Sequence, residues 1–209
     1  MSTINHVSDD VPQTTHASSH STEEWPDSHG TGVGDSGRWS TRLIAIYALF
    51  VALSMALSFV EFPLMPAAPW LKYDPSGIVC LIAGFIFGPS AAAIVSVLGF
   101  APHLFANSWG TLMAVAVALA LSVPASLIYR RMHTRKGAAL ALVVGSVAAL
   151  AVAIGGNLLI TPMIYAKMSV DAVAAMIIPV LLPFNVLKFA LHSVVTFLIY
   201  KPVSNLVQR

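Results

Sequence analysis

Three polar side chains share one face of the last long apolar stretch of this chain, residues 176–200. Asn185, Lys188 and His192 follow i, i+3, i+7 spacing, which places them on the same side of a helix. A helix that crosses a bilayer needs about 20 apolar residues, and this stretch is longer. An amine at that depth costs roughly 2.5–3.5 kcal/mol and usually faces a bundle interior, where it meets a polar partner. These residues predict a polar binding pocket inside a membrane protein.

A second amide is placed to join this pocket. Asn157 follows Gly155 and Gly156 in the preceding apolar stretch, residues 138–164. The two stretches run in opposite directions through a membrane, so Asn157 and Asn185 are expected at similar depth. An asparagine offers a donor and an acceptor, which matches a ligand edge carrying an imide N–H beside a carbonyl. The alternative is that both amides hydrogen-bond between helices, as asparagine does in lipid.

The composition indicates an integral membrane protein. Of 209 residues, 57% are hydrophobic and 10% are charged, and the mean hydropathy is +0.80. The first 37 residues carry six acidic and no basic residues and are rich in Ser, Thr and His. We predict that residues 1–40 form a disordered acidic cytoplasmic tail, without a metal site, and that residues 41–205 form the transmembrane domain. Cys80 is the only cysteine, and it lies in an apolar run, so we interpret it as a packing residue.

Six apolar segments predict an all-α membrane protein with six transmembrane helices. They are residues 43–60, 77–87, 90–105, 111–129, 138–164 and 176–200. The second is short for a full span, so we expect it to be tilted or extended into the preceding loop. If both termini are cytoplasmic, eight basic residues lie inside and only Lys72 and Lys167 lie outside, which supports that orientation. The eight are Arg38, Arg42, Arg130, Arg131, Arg135, Lys136, Lys201 and Arg209.

Three further features have two readings each. The loop of residues 61–76 holds four prolines, which suits a lid over a pocket or an interfacial loop with an aromatic anchor. Small residues at four-residue spacing in the first segment allow close helix approach, either to a partner or within the bundle. They are Ala48, Ala52 and Ala56. His103, beside Asn107, Ser108 and Trp109, is either a ligand contact or a satisfied core histidine.

Enzyme signatures are missing from the sequence. It has no Walker A loop and no GxSxG, HExxH or CxxC motif, and its polar residues suggest no nucleophile and base. We therefore predict a binding or transport protein with no metal site, no cofactor and no nucleic-acid partner. A small membrane enzyme or a lone ion-coupled carrier is the alternative class. Its titrating group would be Lys188, His192 or Glu61.

Four sequence blocks together resemble a known family. They are WLKYDPSGIVCLIAGFIFGP (70–89), PASLIYRR (124–131), GNLLITP (156–162) and PFNVLK (183–188). In this order they resemble the riboflavin-specific substrate-binding subunit, or S component, of energy-coupling factor (ECF) vitamin transporters. The likeness covers about residues 42–203.

The resemblance implies a six-helix S-component fold in the bacterial cytoplasmic membrane, with an outward-facing riboflavin pocket. It implies uptake with a transmembrane T subunit and two ATPase subunits, with riboflavin as the transported ligand. The family's ring-binding positions match Asn157, Asn185 and Lys188 here. The alanine face of the first helix resembles the docking face for the T subunit. The candidates for the ribityl chain are Tyr73, Asp74, Ser76 and His103.

Two departures from the family pattern lie near the expected pocket mouth. The family usually has an acid where this chain has Gly77, and residues 99–113 also differ. They leave two alternatives open for the ligand. One is another flavin, FMN or roseoflavin. The other is another vitamin, such as thiamine or pantothenate.

Overall fold

The computed structural model describes residues 40–66, 68–69, 71–164 and 169–207. Nearly all of the predicted acidic tail lies outside these residues, as do Trp70 and Lys167. Within them the chain is almost wholly helical. The helices are α1 (Thr41–Ser58), α2 (Ser76–Phe87), α3 (Pro89–Gly99), α4 (Ser108–Met132), α5 (Arg135–Ile164), α6 (Val170–Met176) and α7 (Leu182–Val207).

Four helical stretches of the described chain are long and apolar enough to cross a membrane. They are α1, α4, α5 to Met163, and the continuous stretch Val170–Val207. The apolar helices Ser76–Phe87 and Pro89–Phe105 are shorter. The predicted membrane class therefore agrees with the structure. The count of six spans and the cytoplasmic termini remain predictions, because helix length does not show that the short pair crosses.

Two predicted boundaries were wrong. The third helix ends at Gly99 instead of residue 105, because Pro102 lacks an N–H and the chain continues as a 3₁₀ turn, Ala101–Phe105. The last helical stretch begins at Val170 instead of residue 176, because Ser169 caps its first turn by accepting from the Ala172 N–H at 3.2 Å.

The last stretch and the predicted loop hold two further irregularities. A π-helical segment around Pro179, Ile177–Leu181, joins α6 to α7. The predicted loop of residues 61–76 contains a small antiparallel hairpin, β1 (Phe62–Pro63) with β2 (Lys72–Tyr73). The fold is therefore all-α except for this hairpin.

Helix α2 lies at the centre of the bundle. All of its residues except Phe87 are buried. One side packs with α1 and α3, and the other packs with α4 and α7. Gly88 makes the turn into α3 with φ 93°, a backbone conformation that favours glycine. Cys80 is fully buried, with its Sγ 3.8 Å from Ser54 Oγ, as expected of a packing residue.

Serine pairs join helices on both sides of the bundle. Ser96 Oγ in α3 lies 3.1 Å from Ser122 Oγ in α4, and Ser146 Oγ in α5 lies 3.1 Å from Ser193 Oγ in α7. Hydrogen bonds of this kind, together with small-residue packing, hold helices together in lipid. They join α3 to α4 and α5 to α7, beside the space described next.

Candidate substrate-binding site

A cavity of about 950 Å³ lies among the helices and the hairpin. Its wall combines apolar side chains from α4, α5 and α7 with a comparable number of polar side chains. That size is typical of a small-molecule site, in which polar groups fix the orientation of the ligand.

Most of the predicted site residues line this cavity. They are Asp74, His103, Asn157, Asn185 and Lys188, together with Ser76 and His192. Tyr73 lies beside the cavity instead of in its wall. Its buried ring packs 5.1 Å from the ring of His192 and 5.2 Å from the ring of Phe62. The polar residues Asn107 and Trp109 also contribute to the lining.

Both asparagines bond within their own helices. The Asn157 side-chain amide donates to the Ala153 carbonyl at 2.7 Å, and the Asn185 amide donates to the Leu181 carbonyl at 2.8 Å. Thr161 donates to Asn157 Oδ1 at 3.2 Å. Neither side chain hydrogen-bonds to another helix among the described residues. The interhelical role of asparagine is therefore not what the structure shows, and both amides are left facing the cavity.

Lys188 forms an ion pair across the fold with Asp74, which lies in the connection between β2 and α2. Lys188 Nζ lies 2.8 Å from Asp74 Oδ2, and the Ser76 hydroxyl donates to the other carboxylate oxygen. Burial by itself would raise the pKa of Asp74, but Lys188 and Ser76 hold that pKa below its ordinary value. The Asp74 carboxyl is therefore ionised at neutral pH. Its contribution to stability is lost only as pH falls through the lowered pKa of Asp74.

His192 ties the same connection to α7 at a second point. Its Nε2 lies 2.9 Å from the Asp74 backbone carbonyl, and its ring packs against Tyr73. The chain between the hairpin and α2 is therefore held to α7 through both Lys188 and His192.

Thr161 is a polar cavity residue that the sequence prediction missed. Its position one helical turn after Asn157 is the signal that would have found it.

His103 is already partnered within the protein. Its Nε2 lies 2.8 Å from Ser58 Oγ, and its ring stacks on Phe59 with centroids 4.4 Å apart. Both partners belong to the end of α1, so His103 anchors the 3₁₀ turn to that helix while one edge faces the cavity. This placement agrees with the reading of His103 as a satisfied histidine, and its contact with a ligand stays a prediction.

The charged groups of the described cavity lining are paired. Lys188 pairs with Asp74, and Lys72 pairs with Glu61 at 2.9 Å between Nζ and Oε2. Because each pair cancels, the described lining carries no net formal charge. Such a cavity is suited to a neutral ligand better than to a phosphate or a quaternary cation.

Gly77 lies against His192, which explains the absence of a side chain at that position. A Cβ added at Gly77 would stand 2.6 Å from His192 Cε1 and 2.7 Å from its Nδ1. We predict that Gly77→Ala lowers the free energy of unfolding by about 1–3 kcal/mol, because overpacking must displace the ring. Thermal unfolding of the detergent-purified protein measures the effect.

Gly155→Ala is the matched control for this prediction, since a Cβ at Gly155 meets nothing within 4 Å. It should leave the thermal midpoint unchanged or slightly raised. An unchanged midpoint in Gly77→Ala would show that His192 moves away at no cost.

Comparison with known proteins decides the family. Residues 42–200 match the family described as ECF transporter, substrate-specific component. The chain belongs to this family. The riboflavin transporter RibU of Streptococcus thermophilus is 30% identical over 182 residues, covering 81% of this chain and 86% of that protein. RibU of Staphylococcus aureus is 25% identical over 176 residues, covering 80% and 93%.

A solved structure has the same architecture. It is described as "Structure and mechanism of the S component of a bacterial ECF transporter". Its TM-score against this chain is 0.68 at 26% identity, covering 80% of this chain and 98% of that one. The S component described here is thus a multi-pass protein of the plasma membrane and the substrate-binding part of a transporter, not an enzyme. The alternative of a small membrane enzyme is excluded.

Proposed function

We propose that this S component binds riboflavin and supports its uptake with a transmembrane T subunit and two ATPase subunits. The observation that carries the proposal is the convergence of Asn157, Asn185 and Lys188 on one cavity. The uracil-like edge of the flavin ring presents an imide N–H between two carbonyls. Two cavity-facing amides and an ammonium offer the complementary donors and acceptors.

Paired charges favour riboflavin over the other candidates. Riboflavin is neutral, whereas FMN carries a phosphate, thiamine carries a positive charge and pantothenate carries a carboxylate. A cavity whose described charges cancel offers no unpaired charge to match that of any of these three ligands. The names of two relatives, both riboflavin transporters, support the same choice.

The remaining positions follow from the proposal. Asp74 contributes by holding Lys188 in place, and His103 and Ser76 face the ribityl chain from the cavity wall. Tyr73 supports His192 from behind the wall.

We also propose a membrane topology for this S component. The pocket opens outward, all six apolar segments of residues 41–205 cross the membrane, and both termini are cytoplasmic. Residues 1–40 form a separate acidic tail.

The test of this function is the ligand that the protein retains. We expect detergent-purified protein to show flavin absorbance and to release riboflavin, identified by mass spectrometry. The ligand-free protein should then quench the fluorescence of added riboflavin. Its affinity for riboflavin should be much higher than its affinity for FMN, thiamine or pantothenate. A colourless protein that does not quench riboflavin would contradict the proposal, and retention of another vitamin would identify the alternative.

The alanine face of α1 is proposed to dock the T subunit. Ala48, Ala52 and Ala56 are all exposed, while the opposite face buries Tyr47 and Phe50. We predict that Ala52→Trp abolishes riboflavin uptake by cells but leaves riboflavin affinity of the purified protein unchanged, because a bulky side chain prevents close helix approach.

The matched control is Ala151→Trp, at an exposed alanine of α5, which should preserve both uptake and affinity. Normal uptake by the Ala52→Trp variant would contradict docking at this face. Loss of affinity in the same variant would place the defect in the bundle itself.

A further inference from the structure

A second, almost wholly apolar groove lies between α5 and α7, outside the substrate cavity. Its volume is about 510 Å³. The α5 wall runs from Ala139 to Leu150, and the α7 wall runs from Val186 to Leu198. Among the described residues that line it, only Ser146 and Ser193 have polar side chains, and their hydroxyl oxygens lie 3.1 Å apart and bond to each other. The groove is open at the surface of the helix bundle, because Val143 and Val194 are 60% and 57% exposed.

The dimensions of the groove fit one acyl chain. From Ala139 to Leu150 it extends about 16 Å at a rise of about 1.5 Å per residue. That length is about half of the hydrocarbon core of a bilayer, which is about 30 Å thick. Its volume over that length gives a mean cross-section of about 32 Å². The groove is therefore narrow relative to its length, as a single extended chain requires.

Basic side chains lie just beyond one end of the groove, on the same faces of α5 and α7. Arg135 and Lys136 precede Ala139 by four and three residues, so they lie on the groove face of α5. Lys201 follows Leu198 by three residues and lies on the groove face of α7. All three side chains are exposed, and none forms an ion pair with any residue in the described ranges. Of the described acids, Glu61 and Asp74 lie in the segment between α1 and α2, and Asp171 lies in α6, at the far end of the stretch that continues into α7.

We infer that this groove binds an anionic phospholipid, with one acyl chain between α5 and α7 and the phosphate headgroup on Arg135, Lys136 and Lys201. A lipid is the only surrounding molecule that supplies a slender apolar chain and an anionic group at the depth where both are needed. Basic pockets between helices at a membrane surface bind such headgroups. The site is independent of the vitamin and requires only that the protein spans a membrane.

Native mass spectrometry of the full chain in detergent tests the headgroup contact. The protein is titrated with dioleoyl phosphatidylglycerol or with dioleoyl phosphatidylcholine, which share their acyl chains. We expect tighter binding of phosphatidylglycerol and about a 25-fold loss in Arg135→Gln/Lys136→Gln, or about fivefold for each charge removed. The matched control, Arg130→Gln/Arg131→Gln, removes two charges from the adjoining end of α4 and should keep the preference.

A second pair of variants tests the acyl-chain contact. Val194→Trp fills the groove and should weaken phosphatidylglycerol binding, whereas Leu140→Trp, exposed on α5 outside the groove, should not. Circular dichroism and a single symmetric gel-filtration peak confirm that each variant is folded. Equal binding of the two lipids, or equal losses in a test variant and its control, would overturn the inference. Equal losses in Arg135→Gln/Lys136→Gln and in its control would reduce the basic residues to a general surface charge.

Discussion

Lys188→Met is expected to weaken riboflavin binding by about 10- to 150-fold. The variant removes charge-assisted hydrogen bonds, each of which contributes about 1.5–3 kcal/mol when the group is buried. It is also expected to lower the free energy of unfolding by about 3 kcal/mol, because the Asp74 carboxylate, only 13% exposed, loses its cation. Fluorescence quenching measures the affinity, and thermal unfolding of the ligand-free protein measures the stability.

The double variant Asp74→Asn/Lys188→Met separates these two effects. Replacing both partners leaves no unpaired charge, so most of the stability should return. The riboflavin affinity should stay low, because the ammonium is still missing. If the double variant regains full affinity, Lys188 acts only by compensating the charge of Asp74. If Lys188→Met alone binds normally, Lys188 does not contact the ligand.

Asn157→Leu and Asn185→Leu are each expected to weaken riboflavin binding by about 5- to 150-fold. Each replacement of similar size removes a donor and an acceptor from the cavity wall, and the ligand then buries groups without partners, at about 1–3 kcal/mol. Because neither amide bonds to another helix, the helix packing should be preserved. Quenching titrations of both single variants and of the double variant complete a thermodynamic cycle.

The cycle shows whether the two amides act on one ligand edge. Losses that fail to add indicate that both contact the same group, whereas additive losses indicate separate contacts. Thr161→Val is the matched control, because it removes the hydroxyl that donates to Asn157 but keeps the shape of the side chain. Its affinity should fall less than that of Asn157→Leu. Normal binding by both single asparagine variants would remove these residues from the proposed site.

The sequence alone predicted the class of protein and the face that carries the site. Apolar length depends on nearby residues only, so the sequence located each apolar helix, although the end of the third and the start of the last were wrong. Helical spacing placed Asn185, Lys188 and His192 on one face, and the structure brings all three to the cavity. The missing enzyme motifs and the four resembling blocks indicated a substrate-binding component before any packing was known.

The irregular segments were harder to predict from local pattern. The hairpin of β1 and β2 depends on a pairing between Phe62 and Tyr73, eleven residues apart in a proline-rich loop. The sequence predicts an α-helix that starts at residue 176, but the segment Ile177–Leu181 around Pro179 is π-helical. Both choices depend on neighbouring elements that local propensity does not describe.

The partners of the site residues were decided by the tertiary structure. Asp74 meets Lys188 across 114 residues, and His192 fills the space beside Gly77 that a side chain there would take. The sequence showed that Lys188 needed a polar partner, but several polar residues qualified. A helical face can be read from local periodicity, because it depends on spacing within one segment. Which faces meet depends on how all the helices pack around α2, and that is a property of the whole chain.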